Sequence, residues 1–287
     1  MIAEYRLRIG ARAVVLLEGP MGWGEYSPLP GYPCDPERAM AAATEAAAEG
    51  WPPFVRTTVP VNGLVPATGP LPSASTLADW GTPPTVKLKV GRGDPAGDVR
   101  RVAELRDHIG RDARIRVDAN GAWDIDTAVA TLTAMADSDL EFAEQPVADL
   151  DDLGAVRRRV PMPVAADECV RTVADARRLG ATGAADLIVL KVQPAGGVRA
   201  ALAIAAAAAV PAVVTSMFET SIGLAAGLAL AAALPELPYA CGLATLDAIA
   251  GDVTDRPLVP IAGALSIDDH FPPVPTPALL RRYAVAS

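Results

Sequence analysis

The sequence predicts an α/β protein, a parallel (β/α) barrel with a small α+β cap formed by both chain ends. Three observations carry that expectation. Short β-branched runs (TVKLKV, RIRVDAN, LEFAEQP, PVAADE, LIVLKVQ and AVVTSMFE) alternate with Ala- and Arg-rich helical stretches. Five of these runs end in an ionisable residue: Lys89, Asp118, Glu144, Asp167 and Lys191, spaced 29, 26, 23 and 24 residues apart. That spacing accommodates one strand, one helix and two loops, the crossover that parallel strands need, and an unbroken series closes most naturally into a barrel. No Gly-rich phosphate-binding turn follows any strand, which disfavours an open doubly wound sheet.

Taken in chain order, MIAEYRLRI, ARAVVLLEG and GWGEYSPLPG read as an antiparallel meander and PERAMAAATEAAAEG as a helix. Residues 1–55 are therefore expected to form the N-terminal part of the cap. Residues 56–255 are expected to form the barrel, and the Pro-rich residues 256–287 to return to the cap. The runs AALAIAAAAAVPAVV and IGLAAGLALAAAL fall short of the ~20 residues that span a bilayer and read as buried Ala-rich helices. A net charge of −9 disfavours a nucleic-acid or anionic-membrane surface. Cys34, Cys169 and Cys241, odd in number and without a CxxC pair, suit reduced thiols in a cytoplasm. No face can be assigned as a subunit interface.

Barrel active sites lie at the C-terminal ends of the strands, where each of the five ionisable residues sits. Period-2 alternation puts Lys87 and Lys89 on one face of VKLKV, with Val86, Leu88 and Val90 on the other, and sets Arg116 on the face of Asp118. Three carboxylates (Asp118, Glu144 and Asp167) at one mouth would repel unless a cation neutralised them. Oxygen-only ligation favours Mg²⁺ or Mn²⁺, and Zn²⁺ is disfavoured because the only histidines, His108 and His270, fall outside the pattern.

Cationic side chains sharpen the reading. Twenty-two of the 25 are arginine, and the three lysines are Lys87, Lys89 and Lys191. Arginine stays protonated, whereas lysine can be brought to a neutral amine, at a cost near pH 7 of roughly 3–4 kcal/mol. Lys87 and a nearby divalent cation would both push Lys89 in that direction. Two lysines and a cation around a substrate carboxylate suggest abstraction of the adjacent proton, with electrostatic stabilisation of the enediolate.

Quoted in order, VKLKVG, RVDANGAW, EFAEQP, AADECV, LIVLKVQPAGG and TSMFETSIGL resemble the successive barrel motifs of the enolase superfamily, muconate-lactonizing subgroup. GWGEYSPLPGYP and the Arg116–Asp118 pair are similar to the o-succinylbenzoate-forming branch, and the resemblance covers nearly the whole chain. It implies a modified (β/α) TIM-type barrel with a capping domain, and Mg²⁺ held by Asp118, Glu144 and Asp167. It implies Lys89 as base and then acid, Lys191 as a stabilising cation opposite, and Arg116 and Ser216 along a small anionic carboxylate substrate. The implied reaction is syn-elimination of water from 2-succinyl-6-hydroxy-2,4-cyclohexadiene-1-carboxylate, giving o-succinylbenzoate for menaquinone synthesis. Asn120 and Gln145 adjoin two of these carboxylates in a chain with two Asn and two Gln, and read either as hydrogen-bond partners behind them or as loop-solvating amides.

The same parts serve N-acylamino acid racemases, dipeptide epimerases and muconate cycloisomerases, because all begin with one proton abstraction. A non-catalytic metal-binding barrel is the other alternative. It is disfavoured because lysine survives only at these strand ends. The cap is shorter than is usual in the superfamily. It is expected to tune substrate binding, for example through Tyr26 and Leu29, rather than to supply chemistry.

Overall fold

The computed structural model describes residues 2–285. Its N-terminal strands β1 (Ala3–Ile9), β2 (Arg12–Gly19) and β3 (Gly22–Tyr26) form an antiparallel meander in the order β1-β2-β3. Alternation buries Leu7 and Ile9 of β1 with Val14 and Leu16 of β2. Helix α1 (Pro36–Ala48) follows. Its start is set by the Asp35 side chain accepting from the Glu37 amide and by Pro36 in the first turn. Small residues let α1 lie close on the sheet: a Cβ on Gly24 would sit 1.9 Å from the Ala43 carbonyl oxygen of α1.

Strand β4 (Thr58–Pro60) leads into the barrel, which runs through β5 (Gly63–Val65), α2 (Ala74–Asp79), β6 (Thr85–Lys89), α3 (Pro95–Ile109), β7 (Arg114–Asp118) and α4 (Ile125–Ala134). It continues with β8 (Leu140–Glu144), α5 (Leu150–Arg157), β9 (Val164–Ala166), α6 (Val173–Thr182) and β10 (Leu187–Leu190). Then come α7 (Val192–Ala195), α8 (Val198–Ala208), β11 (Ala212–Val214) and α9 (Ser221–Ala233). Strands β5 to β11 pair in parallel, in sequence order, as one seven-stranded sheet. The eighth position is only Cys241–Gly242, which bridges Val61 on one side and Thr215 on the other and so joins the two sheet edges. The six strands expected from sequence are all present. The first strand and the closing one went unseen because they are very short and broken by glycine and proline, so neither shows a readable alternation.

The alternation inferred for VKLKV holds. Val86, Leu88 and Val90 join the large core beneath the helices, while Lys87 faces the barrel axis beside Glu144. The interior itself is closed by a separate apolar layer of Phe142, Ala165, Leu187, Val189 and Val213, with Tyr239 against it. Helix α9 is apolar all round because it is buried all round, touching α8, β3, β4 and β11 between barrel and cap. No helix among the described residues is long and apolar enough to cross a membrane.

After the barrel, β12 (Ala264–Ser266) pairs antiparallel with β4, and α10 (Pro277–Tyr283) packs on β1, where Ala284 bridges Leu7. The close approach at Gly24 carries a stability prediction. Gly24→Ala should lower unfolding free energy by about 1–3 kcal/mol, the usual cost of overpacking. An unchanged denaturant midpoint would show that α1 is free to move off the sheet.

Candidate active site

A cavity of about 680 Å³ opens at the C-terminal ends of the strands and lies under the cap segment that contains Leu29 and Tyr32. Strand register builds its floor. Lys89 is paired with Asp118 across β6 and β7, and Asp118 with Glu144 across β7 and β8. Asp167 follows β9 and Lys191 follows β10, so all five ionisable strand ends, and Lys87, line this one cavity. Lys89 and Lys191 come from the second and sixth positions of the eight and face each other across it.

The three carboxylates are almost wholly buried, with Asp118 and Glu144 each 1% exposed and Asp167 2%. Each is turned to an ammonium group. Lys87 reaches both oxygens of Glu144 at 2.8 Å, Lys89 reaches Asp118 at 2.5 Å, and Lys191 spans Asp167 at 2.5 and 2.6 Å. Burial alone would raise Asp118, but the Lys89 and Lys87 charges outweigh it and hold its carboxyl well below the usual range. Glu144 is pushed up to about 7 by burial and by the Asp118 charge. Burial pulls Lys87 and Lys191 down. The carboxylates beside them, Glu144 and Asp118 for Lys87 and Asp167 and Glu144 for Lys191, outweigh that pull and raise both. Lys87 is thus drawn to Glu144 rather than standing free as a like-charge neighbour of Lys89.

The two amides singled out from sequence are both structural contacts of the site. Asn120 donates its backbone N–H to Asp118, accepts from Lys89 at 2.8 Å and donates to Glu168 at 2.8 Å. The Gln145 side chain accepts from the Asp167 backbone N–H at 2.7 Å and donates to the Val147 carbonyl. Both residues take positive φ, 47° and 40°, which turns the chain sharply off β7 and β8.

Ser216 lines the cavity, its hydroxyl 2.6 Å from that of Thr245. Arg116 is placed differently from the sequence expectation. It is fully buried below the cavity, donating to Glu141 at 2.5 Å, to the Ala240 carbonyl and to Asn62, with Phe142 against its guanidinium. Arg116 lies two positions before Asp118 on β7, so it shares the inward face but sits one layer deeper. Asn62, not Arg116, reaches the cavity wall.

Sequence reasoning missed Tyr32, Glu168 and Asn62. Tyr32, from the cap, donates to Asp167 at 2.8 Å and lays its ring 4.6 Å from the Lys191 ammonium. Tyr26, by contrast, packs against Leu17 and α1 and does not line the cavity, whereas Leu29 does. The rarity of amides in this chain was a usable signal for Asn62. Glu168 was hidden because it adjoins a stronger candidate.

Family comparison agrees with this layout. The model described as "Enolase C-terminal domain-like" matches residues 74–271, and that described as "Enolase N-terminal domain-like" matches residues 3–47. The chain belongs to the enolase superfamily. An o-succinylbenzoate synthase of Thermobifida fusca (strain YX) is 53% identical over 262 residues, 90% of this chain and 82% of that protein. Another, of Mycolicibacterium smegmatis, is 42% identical over 96% of this chain and 85% of its own length. Among solved structures, muconate lactonizing enzyme from Pseudomonas putida superposes with a TM-score of 0.84 at 20% identity, covering 99% of both chains. Muconate cycloisomerase from Pseudomonas fluorescens gives 0.86 at 21%, covering 99% of this chain and 98% of that one. These two likenesses concern the fold.

Members of the enolase superfamily generally bind Mg²⁺. The donor set here fits such an ion in kind: oxygen-only carboxylates, buried, on neighbouring strands, opening on one cavity. Among the described residues, no three acidic, imidazole or thiol groups already form a coordinating cluster, each carboxylate being turned to a lysine instead.

GWGEYSP proves to be the segment that docks the superfamily's cap onto its barrel. Glu25 is buried and accepts from Ser27 Oγ, from the Thr220 hydroxyl and N–H, and from the Gly223 N–H at the start of α9. Gln193 accepts from the Ser27 N–H and donates to Glu219, and Arg12 donates to the Ser27 and Met217 carbonyls. Burial pushes Glu25 up to about 7 against the lowering effect of these donors. The native state therefore holds more protons than the unfolded chain between about pH 4.5 and 7, so stability falls as pH rises through that window. Glu25→Gln should flatten part of the decline in Tm between about pH 5 and pH 8, Glu144 supplying a remainder of the same sign. An unaltered slope in the variant would remove Glu25 from that role.

Proposed function

We propose that the chain is an o-succinylbenzoate synthase, a hydro-lyase that dehydrates 2-succinyl-6-hydroxy-2,4-cyclohexadiene-1-carboxylate to o-succinylbenzoate in menaquinone biosynthesis. One observation carries the reading. Lys89 and Lys191 face each other over three buried carboxylates, in a chain 53% identical to a protein of that name. Three free cysteines suit a cytoplasmic enzyme and a net charge of −9 one with no nucleic-acid partner, while the lysines of the cavity would meet a small anionic substrate locally.

Asp118, Glu144 and Asp167 would hold Mg²⁺, with Mn²⁺ as a substitute, and the bound cation would make the C–H beside the substrate carboxylate more acidic. Lys89, as a neutral amine, takes the proton from the carbon that bears the carboxylate. The electron pair left behind passes into the carboxylate as an enediolate, and Lys191 on the opposite side stabilises that charge as an ammonium. The pair then returns to form the ring double bond and expels the neighbouring hydroxyl. Lys89 gives its proton to the departing oxygen, so water leaves and the base is restored. Base and acid are one residue, which requires proton and hydroxyl to leave from the same face. Ser216 on the cavity wall would contact the substrate, whereas Arg116 acts on it only through Asn62.

Lys89→Arg retains charge and most of the length but cannot yield a free electron pair. It should be essentially inactive on the cyclohexadiene carboxylate, at least about a thousandfold down, while Tm stays within a few degrees. Substantial turnover by that variant would overturn the base assignment. Lys191→Arg should retain measurable dehydration. Complete loss there, together with exchange of substrate deuterium and turnover of N-acylamino acids by the unaltered enzyme, would favour racemisation.

Exhaustive chelation should abolish turnover, with Mg²⁺ or Mn²⁺ restoring it. Asp118→Ala, Glu144→Ala and Asp167→Ala should each weaken Mg²⁺ binding measured by calorimetry. Full activity after chelation would exclude the metal role.

A further inference from the structure

Glu168 has no task in the mechanism above, yet it lines the cavity. One of its oxygens accepts from the Asn120 side-chain amide at 2.8 Å, and the other is buried without a partner among the described residues. Asn120 in turn accepts from Lys89 at 2.8 Å through its own side-chain oxygen. The result is a chain carboxylate–amide–lysine that crosses from the end of β9 to the ends of β7 and β6. Its middle member is set by a backbone φ of 47° and by the Asn120 N–H on Asp118.

A side-chain amide has an accepting end and a donating end of nearly the same shape, and its neighbours decide which way it turns. On one side Asn120 meets Glu168, and an ionised carboxylate can only accept. The NH₂ group therefore faces Glu168 and the oxygen faces Lys89. Arg92 also approaches that oxygen, but at 3.4 Å from an exposed side chain, a weaker constraint.

This orientation matters when Lys89 is neutral. An amine that donates an N–H to the Asn120 oxygen keeps its lone pair free for a substrate proton. A reversed amide would donate into that lone pair and occupy it. We propose that Glu168 is a positioning residue that, through Asn120, keeps the electron pair of Lys89 open toward the substrate. The proposal rests on Lys89 being the base.

Glu168→Gln is close to isosteric but replaces the acceptor-only group with an amide that can face either way. It should lower kcat by about 10- to 100-fold, the usual cost of losing a partner behind a reactive group, with KM within about twofold. Asn120→Ala should lose a similar factor, and adding Glu168→Gln to it should cost nothing further. A second readout needs no turnover. Because the chain has three lysines, protein labelled at lysine Cε should give three side-chain NMR signals, with that of Lys89 identified by its loss in Lys89→Met. Glu168→Gln should move that signal in the parent protein and leave it in place in Asn120→Ala. The proposal falls if Glu168→Gln is silent in the parent, or if it costs the same factor with and without Asn120. The base assignment fails separately, by activity surviving in Lys89→Arg, and the lone-pair role would fall with it; the lysine signal would still report whether Glu168 governs the amide.

Discussion

Three carboxylates with almost no access to water, brought to one barrel mouth by strand register, repel one another. The surrounding structure answers that repulsion. Asp118 and Glu144 cannot be separated without shifting β7 against β8, because they are direct register partners. Each carboxylate is met by an ammonium from the inward face of a nearby strand, and Tyr32 adds a hydroxyl donor from the cap. Removing any one of the cations would leave a buried charge uncompensated, a far larger perturbation than losing an exposed ion pair. The side chains that balance the charge are thus the ones proposed to carry the chemistry.

The cap is bound to this arrangement by polar contacts that converge on the segment from Met217 to Gly223. Glu25 caps the start of α9 from another part of the molecule, and Glu219 takes the Met217 N–H and the Gln193 amide. Of the two cavity-lining residues here, Phe218 lies between these anchors and Ser216 directly precedes the first. Cap position and the wall of the site are therefore mechanically joined, and a change in either is felt by the other. The apolar α9 fills the space behind them and makes that junction stiff.

Much of this was legible before any coordinates. The spacing of Lys89, Asp118, Glu144, Asp167 and Lys191 reports the βα repeat directly, and alternation places each side chain inward. Arg116 is the exception. Parity assigns a face of the strand but not a depth along it, and the two-position step from Arg116 to Asp118 separates a group beneath the cavity from one at it. Tyr32 was not legible for another reason: it lies in the Gly- and Pro-rich segment PGYP, where no periodicity tells which side chain turns inward. Closure by Cys241–Gly242 escaped because two residues carry no pattern at all.

The placement of the lysines has a consequence for the outside of the molecule. All three ε-amines line the cavity, and the surface elsewhere presents its positive charge only as guanidinium groups. Reagents and enzymes that acylate, crosslink or tag lysine would find no ordinary target on the exterior. Apart from the chain's own amino terminus, amine-directed chemistry can address this protein only through that cavity.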